Sequence, residues 1–288
     1  MRTLLFITLG VFGLVFLVRW IRQVRAMGQG SAAAVRPSLW ESAVGFVTNF
    51  FDTLGIGSFA PTTSIYKLKK MVPDEHIPGT MHVGHTPPVI IQAFIFIAII
   101  QIDLATLVSM IGGAVLGAWL GAGVVARLPR RQIQIGMGIA LLVAAASFVM
   151  SIYGFFPTGG TALGMRGLGL AVAVGVSLAL GALMTIGVGF YAPCMITISL
   201  LGMNPVTAFP VMMGSCAFLM PVASIRFLKA NKYSLRAAVG LALGGIPAVL
   251  IAAFIVKSLP LNAMRWLVVV VVLYAAVAML RSAYAEAS

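Results

Sequence analysis

The chain has 288 residues, 61% of them hydrophobic and 9% charged, with mean hydropathy +1.08 and a formal net charge of +13. No soluble domain of this size hides that much apolar surface, so the composition excludes a soluble globular protein and calls for a polytopic membrane protein. The basic residues are spread over short loops between apolar runs, as the positive-inside rule expects, and no compact basic domain exists to serve nucleic acid.

Residues 3–18 are apolar, with Arg2 before them and Arg19, Arg22, Arg25 and Arg36 after them. The basic C-terminal flank and the lack of a small-residue cleavage site favour an uncleaved helix over a signal peptide. Residues 26–39 read as a Gly/Ala/Ser/Pro-containing connection. Segment A, 40–70, starts as an apolar helix, breaks from Thr53 to Ala60 and restarts near Pro61, where a missing N–H costs nothing. It ends in Lys67, Lys69 and Lys70. Spans are predicted at 77–101 and 103–126, the second carrying Gly113, Gly117 and Gly121 at the spacing of a close-packing face. Another span covers 132–152, and a Gly/Thr/Pro loop fills 153–166. Segment B, 167–201, repeats segment A, with a break from Thr185 to Ala192 and a restart at Pro193. Spans at 206–227, 237–256 and 264–281 complete the chain. The predicted organisation is an N-terminal helix and connection (1–39), a first membrane repeat (40–152), a loop (153–166) and a second membrane repeat (167–288).

The duplication rests on one motif, Thr-(Leu/Ile)-Gly-(Ile/Val)-Gly-x-(Phe/Tyr)-Ala-Pro, found at Thr53–Pro61 and at Thr185–Pro193. The offset of 132 residues from Pro61 to Pro193 also relates Pro78 to Pro210 and Gly112-Gly113 to Gly244-Gly245. Three matches at one offset indicate internal repetition. Corresponding loops have opposite charge: basic after segment A and neutral after segment B, neutral after 77–101 and basic after 206–227. That is the pattern of an inverted-topology repeat. The predicted fold is all-α and polytopic, with about seven spanning helices plus two re-entrant hairpins. Lys257 and Arg265 flank a loop this topology puts outside, and a parallel repeat of about nine helices is the alternative.

Irregular backbone at membrane depth survives only inside protein or along a cavity. Two breaks inserted from opposite sides would meet near the midplane, each restarting as a half-helix with unpaired, positively polarised N–H groups. Gly55, Gly57, Gly187 and Gly189 let a ligand approach the backbone. Thr53, Ser58, Thr62, Thr63, Thr185 and Tyr191 add hydroxyl donors. Every Lys and Arg sits at a segment end or in a loop. An anion at the midplane must therefore be held by amide dipoles, hydroxyls or a histidine. Kinks and packing alone are the bland reading of the same residues. Among the six acidic residues only Asp52 lies within an apolar run. It either carries a coupling proton or caps the Gly-rich turn. Its repeat counterpart is Met184. His82 and His85 lie one helical turn apart. They either bind the anion, shuttle protons or stay passive near the interface, and no Cys or Glu joins them at zinc-ligand spacing. Gly214, Ser215 and Cys216 occupy the matching region of the second repeat. Cys194 and Cys216 form neither a disulfide framework nor a metal pattern.

Asn49-Phe50-Phe51-Asp52-Thr53-Leu54-Gly55-Ile56-Gly57, Pro78-Gly79-Thr80 and Gly187-Val188-Gly189 resemble the TauE/SafE family of membrane permeases across residues 40–280. The resemblance implies secondary transport of a small sulfur-containing anion such as sulfite or an organosulfonate, in a bacterial-type inner membrane, with no cofactor and no catalysis. The expected binding residues are Asn49, Thr53, Gly55, Gly57, Ser58, Thr62, His82, His85, Thr185, Gly187, Gly189, Tyr191, Cys194 and Ser215, with Asp52 for a proton. The expected partners are the anion and the bilayer, with homo-oligomerisation open. A carrier of a carboxylate or divalent metal, an uncoupled channel and an intramembrane enzyme built on Asp52, His82 and His85 are the rival readings.

Overall fold

The computed structural model describes residues 2–26, 36–254 and 261–285. Among these residues the regular structure is helical: α1 (Arg2–Ala26), α2 (Leu39–Thr53), α3 (Phe59–Lys69), α4 (Ile77–Ile99), α5 (Leu104–Val125), α6 (Arg130–Ile152), α7 (Gly167–Met184), α8 (Tyr191–Leu200), α9 (Ala208–Ala230), α10 (Leu235–Phe254) and α11 (Leu261–Ala285). Most of the predicted 26–39 connection, and Lys257, lie outside the described residues.

Among the described residues seven helices are long and apolar enough to cross a membrane: α1, α4, α5, α6, α7, α9 and α10. The chain is an integral multi-pass membrane protein. The number agrees with the sequence reading. The first arm of segment B, α7, has 18 residues and qualifies by length. In α11 the stretch Val272–Ala285 is also apolar.

Local chemistry sets the ends of the elements. Ser38 caps α2 through a reciprocal pairing with Glu41, and Glu41 also meets the Arg236 guanidinium at 3.1 Å. Asp103 caps α5 by accepting from Thr106 N–H at 2.8 Å and from its hydroxyl at 2.9 Å. These hydrogen bonds and the nearby Arg166 guanidinium hold the Asp103 carboxyl below the usual carboxylate range.

Long-range contacts sort the helix ends into two groups. In one group, Lys67 at the end of α3 meets Asp74 at 2.6 Å, and Arg130 at the start of α6 lies 3.7 Å from the same carboxylate. Lys67 also donates to Ser282 of α11 at 2.9 Å. Ser234 N–H, just before α10, donates to Thr80 of α4 at 2.8 Å, and Gln23 of α1 donates to Leu228 C=O of α9 at 2.9 Å. The start of α2 belongs here through Glu41 and Arg236. In the other group, Arg166 before α7 faces Asp103 before α5 at 3.8 Å. Gly160 N–H donates to Met203 C=O at 3.0 Å and Asn204 N–H to Ala162 C=O at 2.8 Å, so the chain leaving α8 returns to the 153–166 loop. Each hairpin thus leaves and re-enters at one end of the bundle, α2–α3 at the first and α7–α8 at the second.

The packing repeats between halves. Helix α2 of the first half packs on α10 of the second, and α7 of the second packs on α5 of the first; α4 pairs with α9 and α6 with α11. Glycine permits the two close crossings. A Cβ on Gly117 or Gly113 would fall on the Leu178 or Val174 carbonyl of α7, and one on Gly244 on the Ser42 carbonyl of α2. The predicted small-residue face of α5 therefore receives α7.

Candidate functional site

The two breaks come together at the centre of the bundle. Both restarted helices begin without a side-chain cap, at Ser58 before α3 and at Phe190 before α8. Their first intrahelical bonds are Thr62 N–H to Ser58 C=O at 3.0 Å and Cys194 N–H to Phe190 C=O at 3.2 Å. In each helix the third position is proline, which has no N–H, so the free donors concentrate on the first two residues.

A cavity of ≈ 40 Å³ lies between the breaks, walled by Ile56, Gly57 and Ala60 on one side and Val188, Gly189 and Pro193 on the other. A second cavity of ≈ 20 Å³ is lined by Asp52, Gly57, Ser58, Met184, Gly189, Tyr191 and Cys216, among others. Gly57, Gly189 and Tyr191 border both. The smaller space holds about one water and the larger two or three. No Lys or Arg lines either one. A Cβ added to Gly57 or Gly189 meets nothing within 4 Å, so both glycines face open space.

A buried polar chain runs beside these cavities. Tyr191 OH donates to Asp52 Oδ2 at 3.0 Å and lies 3.3 Å from Gln92 Oε1. Gln92 Nε2 donates to Thr53 Oγ1 at 2.8 Å, and Thr53 donates to Asn49 C=O at 2.8 Å. The Asp52 carboxylate also faces the hydroxyl and N–H of Ser58. It therefore sits at the start of α3 and occupies part of that helix's positive end. At the start of α8 the counterpart of Asp52 is Met184, so that end has no carboxylate of its own.

This asymmetry runs through the whole site. At the 132-residue offset, Asn49, Asp52, Ser58, His82 and His85 correspond to Gly181, Met184, Phe190, Gly214 and Ala217. At Phe59 and Tyr191, and at Val83 and Ser215, the later segment holds the more polar residue. The first repeat supplies nearly all the polar side chains, and the second supplies soft and small ones: Met184, Gly189, Cys216.

The predicted site residues separate into three groups. Asp52, Gly57, Ser58, Gly189 and Tyr191 border a cavity. Asn49, Thr53, Thr62 and His85 form the bracing behind it. Asn49 Nδ2 donates to Gly45 C=O at 2.7 Å, which turns its Oδ1 to His85 Nδ1 at 3.0 Å. His85 Nδ1 then carries the proton and Nε2 accepts from the Thr62 hydroxyl at 3.1 Å. Both ring nitrogens are used, and the ring ties α2, α3 and α4 together. The remaining residues stand apart from the cavities. Thr185 donates to its own helix at Ala182 C=O, 2.6 Å away. Gly55 and Gly187 shape the turns with φ of +85° and +112°. Cys194 and Ser215 are buried without bordering either space. His82 donates from Nδ1 to Pro78 C=O at 2.9 Å, and its ring lies 5.2 Å from the Phe59 centroid and 5.4 Å from that of Phe227. Its Nε2 has no partner. The histidines thus do not converge with Asp52, and no group of three His, Cys, Asp or Glu side chains gathers among the described residues.

Sequence reasoning missed Gln92, which connects Tyr191 to Thr53. Its signal was available: it is the lone amide in an otherwise apolar run, Val89 to Ile100. Met184 and Met220 also border the ≈ 20 Å³ cavity, but apolar composition gives no sign of that.

A multi-pass helical protein with two interrupted hairpins meeting around small, cation-free cavities has the build of a membrane transport protein. The chain belongs to the sulfite exporter TauE/SafE family, whose model matches residues 1–148. The match covers α1 to most of α6. It takes in the first helix, which the sequence resemblance left out, and stops before the second repeat, which the resemblance included. No curated protein and no solved structure matches the chain.

Proposed function

We propose that this protein is a secondary transporter of a small sulfur-containing anion, such as sulfite or an organosulfonate, in a bacterial-type cytoplasmic membrane. The anion binds where the two breaks meet, and access alternates between the two sides around that junction. The observation that carries the reading is the shared cavity border of Gly57, Gly189 and Tyr191 beside two uncapped helix starts, with no lysine or arginine present. Family membership adds the sulfur chemistry. The hairpins' opposite entry ends and the alternating loop charges support an inverted-topology repeat with the basic loops cytoplasmic.

The site's asymmetry suggests a division of labour. The α8 start, with Tyr191 and Ala192 N–H, receives the anion. The α3 start already has Asp52. Two negative charges ~4 Å apart repel by about 4 kcal/mol at an effective dielectric constant of ~20, which is roughly a thousandfold in affinity. The anion therefore binds best when Asp52 is neutral, and anion and proton help each other onto the site. Outward movement of a lone negative charge gains about 2.3 kcal/mol per 100 mV. An anion that carries a proton with it cancels that gain for one charge, and its own gradient then drives export. The closed cavities are too small for a four-heavy-atom anion, so loading requires the breaks to part.

Isotope flux into proteoliposomes, with sulfite, a sulfonate, a carboxylate and a divalent metal compared side by side, tests the reading. Saturable flux of a sulfur anion is expected. Preferential carboxylate or metal flux, or flux equal to that of protein-free vesicles, would defeat it.

A further inference from the structure

Away from the hairpins, a groove of ≈ 390 Å³ opens between the ends of α5 and α9. Arg127, two residues past α5, and Arg226, four residues before the end of α9, both line it. The acidic side chains near helix ends are engaged elsewhere: Asp74 and Glu75 with Lys67 and Arg130, Asp103 with Arg166, Glu41 with Arg236. No carboxylate lines the groove. Arg226 lies with its guanidinium carbon 4.9 Å above the Trp119 ring, which fixes its plane. Gly123 leaves room beside that guanidinium: an added Cβ would stand 3.9 Å from it. The wall below is apolar and outward-facing, with Trp119 48%, Leu120 55% and Val124 60% exposed.

We propose that this groove binds an anionic phospholipid, its headgroup phosphate between Arg127 and Arg226 and an acyl chain along Leu120 and Val124. Charge complementarity selects the headgroup. Guanidinium forks match phosphate oxygens in pairs, and basic pockets between membrane helices suit anionic headgroups. The outward-facing apolar wall selects a lipid over free phosphate, which would leave that wall uncovered.

The test is native mass spectrometry of the detergent-solubilised protein titrated with phosphatidylglycerol, phosphatidylcholine or inorganic phosphate. Phosphatidylglycerol is expected to bind at least tenfold tighter than phosphatidylcholine, and phosphate alone is not expected to compete. Arg127→Ala should reduce phosphatidylglycerol binding about tenfold while Lys229→Ala, on a nearby exposed cation outside the groove, leaves it unchanged. Arg127 is exposed, so this variant does not depend on the Arg226–Trp119 contact for its folding. Arg226→Lys, which keeps the charge and loses the fork, should weaken binding as well. Equal binding by wild type and Arg127→Ala, equal retention of the two lipids, or full competition by inorganic phosphate would each overturn the proposal.

Discussion

Gly189 allows substrate space to be tested separately from fold. Its backbone is outside the left-handed region, and an added methyl would meet nothing within 4 Å. Gly189→Ala should therefore fold, and reduced freedom of the unfolded chain should even stabilise it by about 0.4–1 kcal/mol. The methyl nevertheless projects into the space bordering both cavities, of ≈ 40 and ≈ 20 Å³. An extra methylene forced against a fitted ligand costs about 1–3 kcal/mol, so anion affinity should fall roughly 5- to 150-fold. Gly189→Leu should abolish flux. Gly57 is the contrasting case, because its φ of +89° penalises any side chain. Gly57→Ala should lose about 1–2 kcal/mol of stability in addition to its effect on transport. The assays are thermal unfolding in detergent and concentration-dependent sulfite flux in proteoliposomes. If Gly189→Ala and Gly189→Leu both transport with the wild-type half-saturation concentration, the anion does not lie between the breaks.

Asp52→Asn, which mimics the neutral acid, should keep measurable flux and lose its pH dependence; unchanged pH dependence of flux would exclude Asp52 as the proton carrier. Tyr191→Phe removes the hydroxyl bonding Asp52 and Gln92 and makes the position resemble Phe59, for a loss of about 1–3 kcal/mol in unfolding free energy because buried partners are left unsatisfied. Gly117→Val should prevent stable assembly of α5 against α7, while Gly112→Val, with nothing within 4 Å of its added Cβ, should change unfolding temperature little. Asp103 is held below its ordinary range by the Thr106 cap, so its contribution is present above the unfolded carboxylate value and is lost as pH falls through the depressed one. Acid unfolding of Asp103→Asn should therefore start from a lower stability and show a shallower pH dependence in that window than wild type.

Much of the fold could be read from local pattern. The restarts at Pro61 and Pro193 fall in the first turns of α3 and α8, because a helix that begins inside an apolar run needs both a break and a residue that tolerates a missing donor. The glycine spacing on α5 announced a close crossing, though not that α7 makes it: small residues at four-residue intervals have few other uses in an apolar helix. The site was less legible. The Tyr191–Asp52 contact joins residues 139 apart, and no local periodicity encodes it. Polar character identified His82 and His85, but neither their facing nor their distance from the cavities follows from it. Asn49 was legible as a polar residue in an apolar helix, but its role as the partner orienting His85 depends on α4 packing against α2.

The close crossings of α2 with α10 and of α7 with α5 interlock the two halves of the chain. Each half lends its hairpin to the long helices of the other, so neither half of the polypeptide is a complete folding unit. A fragment ending after residue 152 would expose the groove where α7 belongs and leave α2 without its cradle. The same interlock decides what can move as one body: a hairpin travels with the helix that grips it, so any rigid unit is assembled from both halves of the chain and its boundary does not follow the order of the sequence.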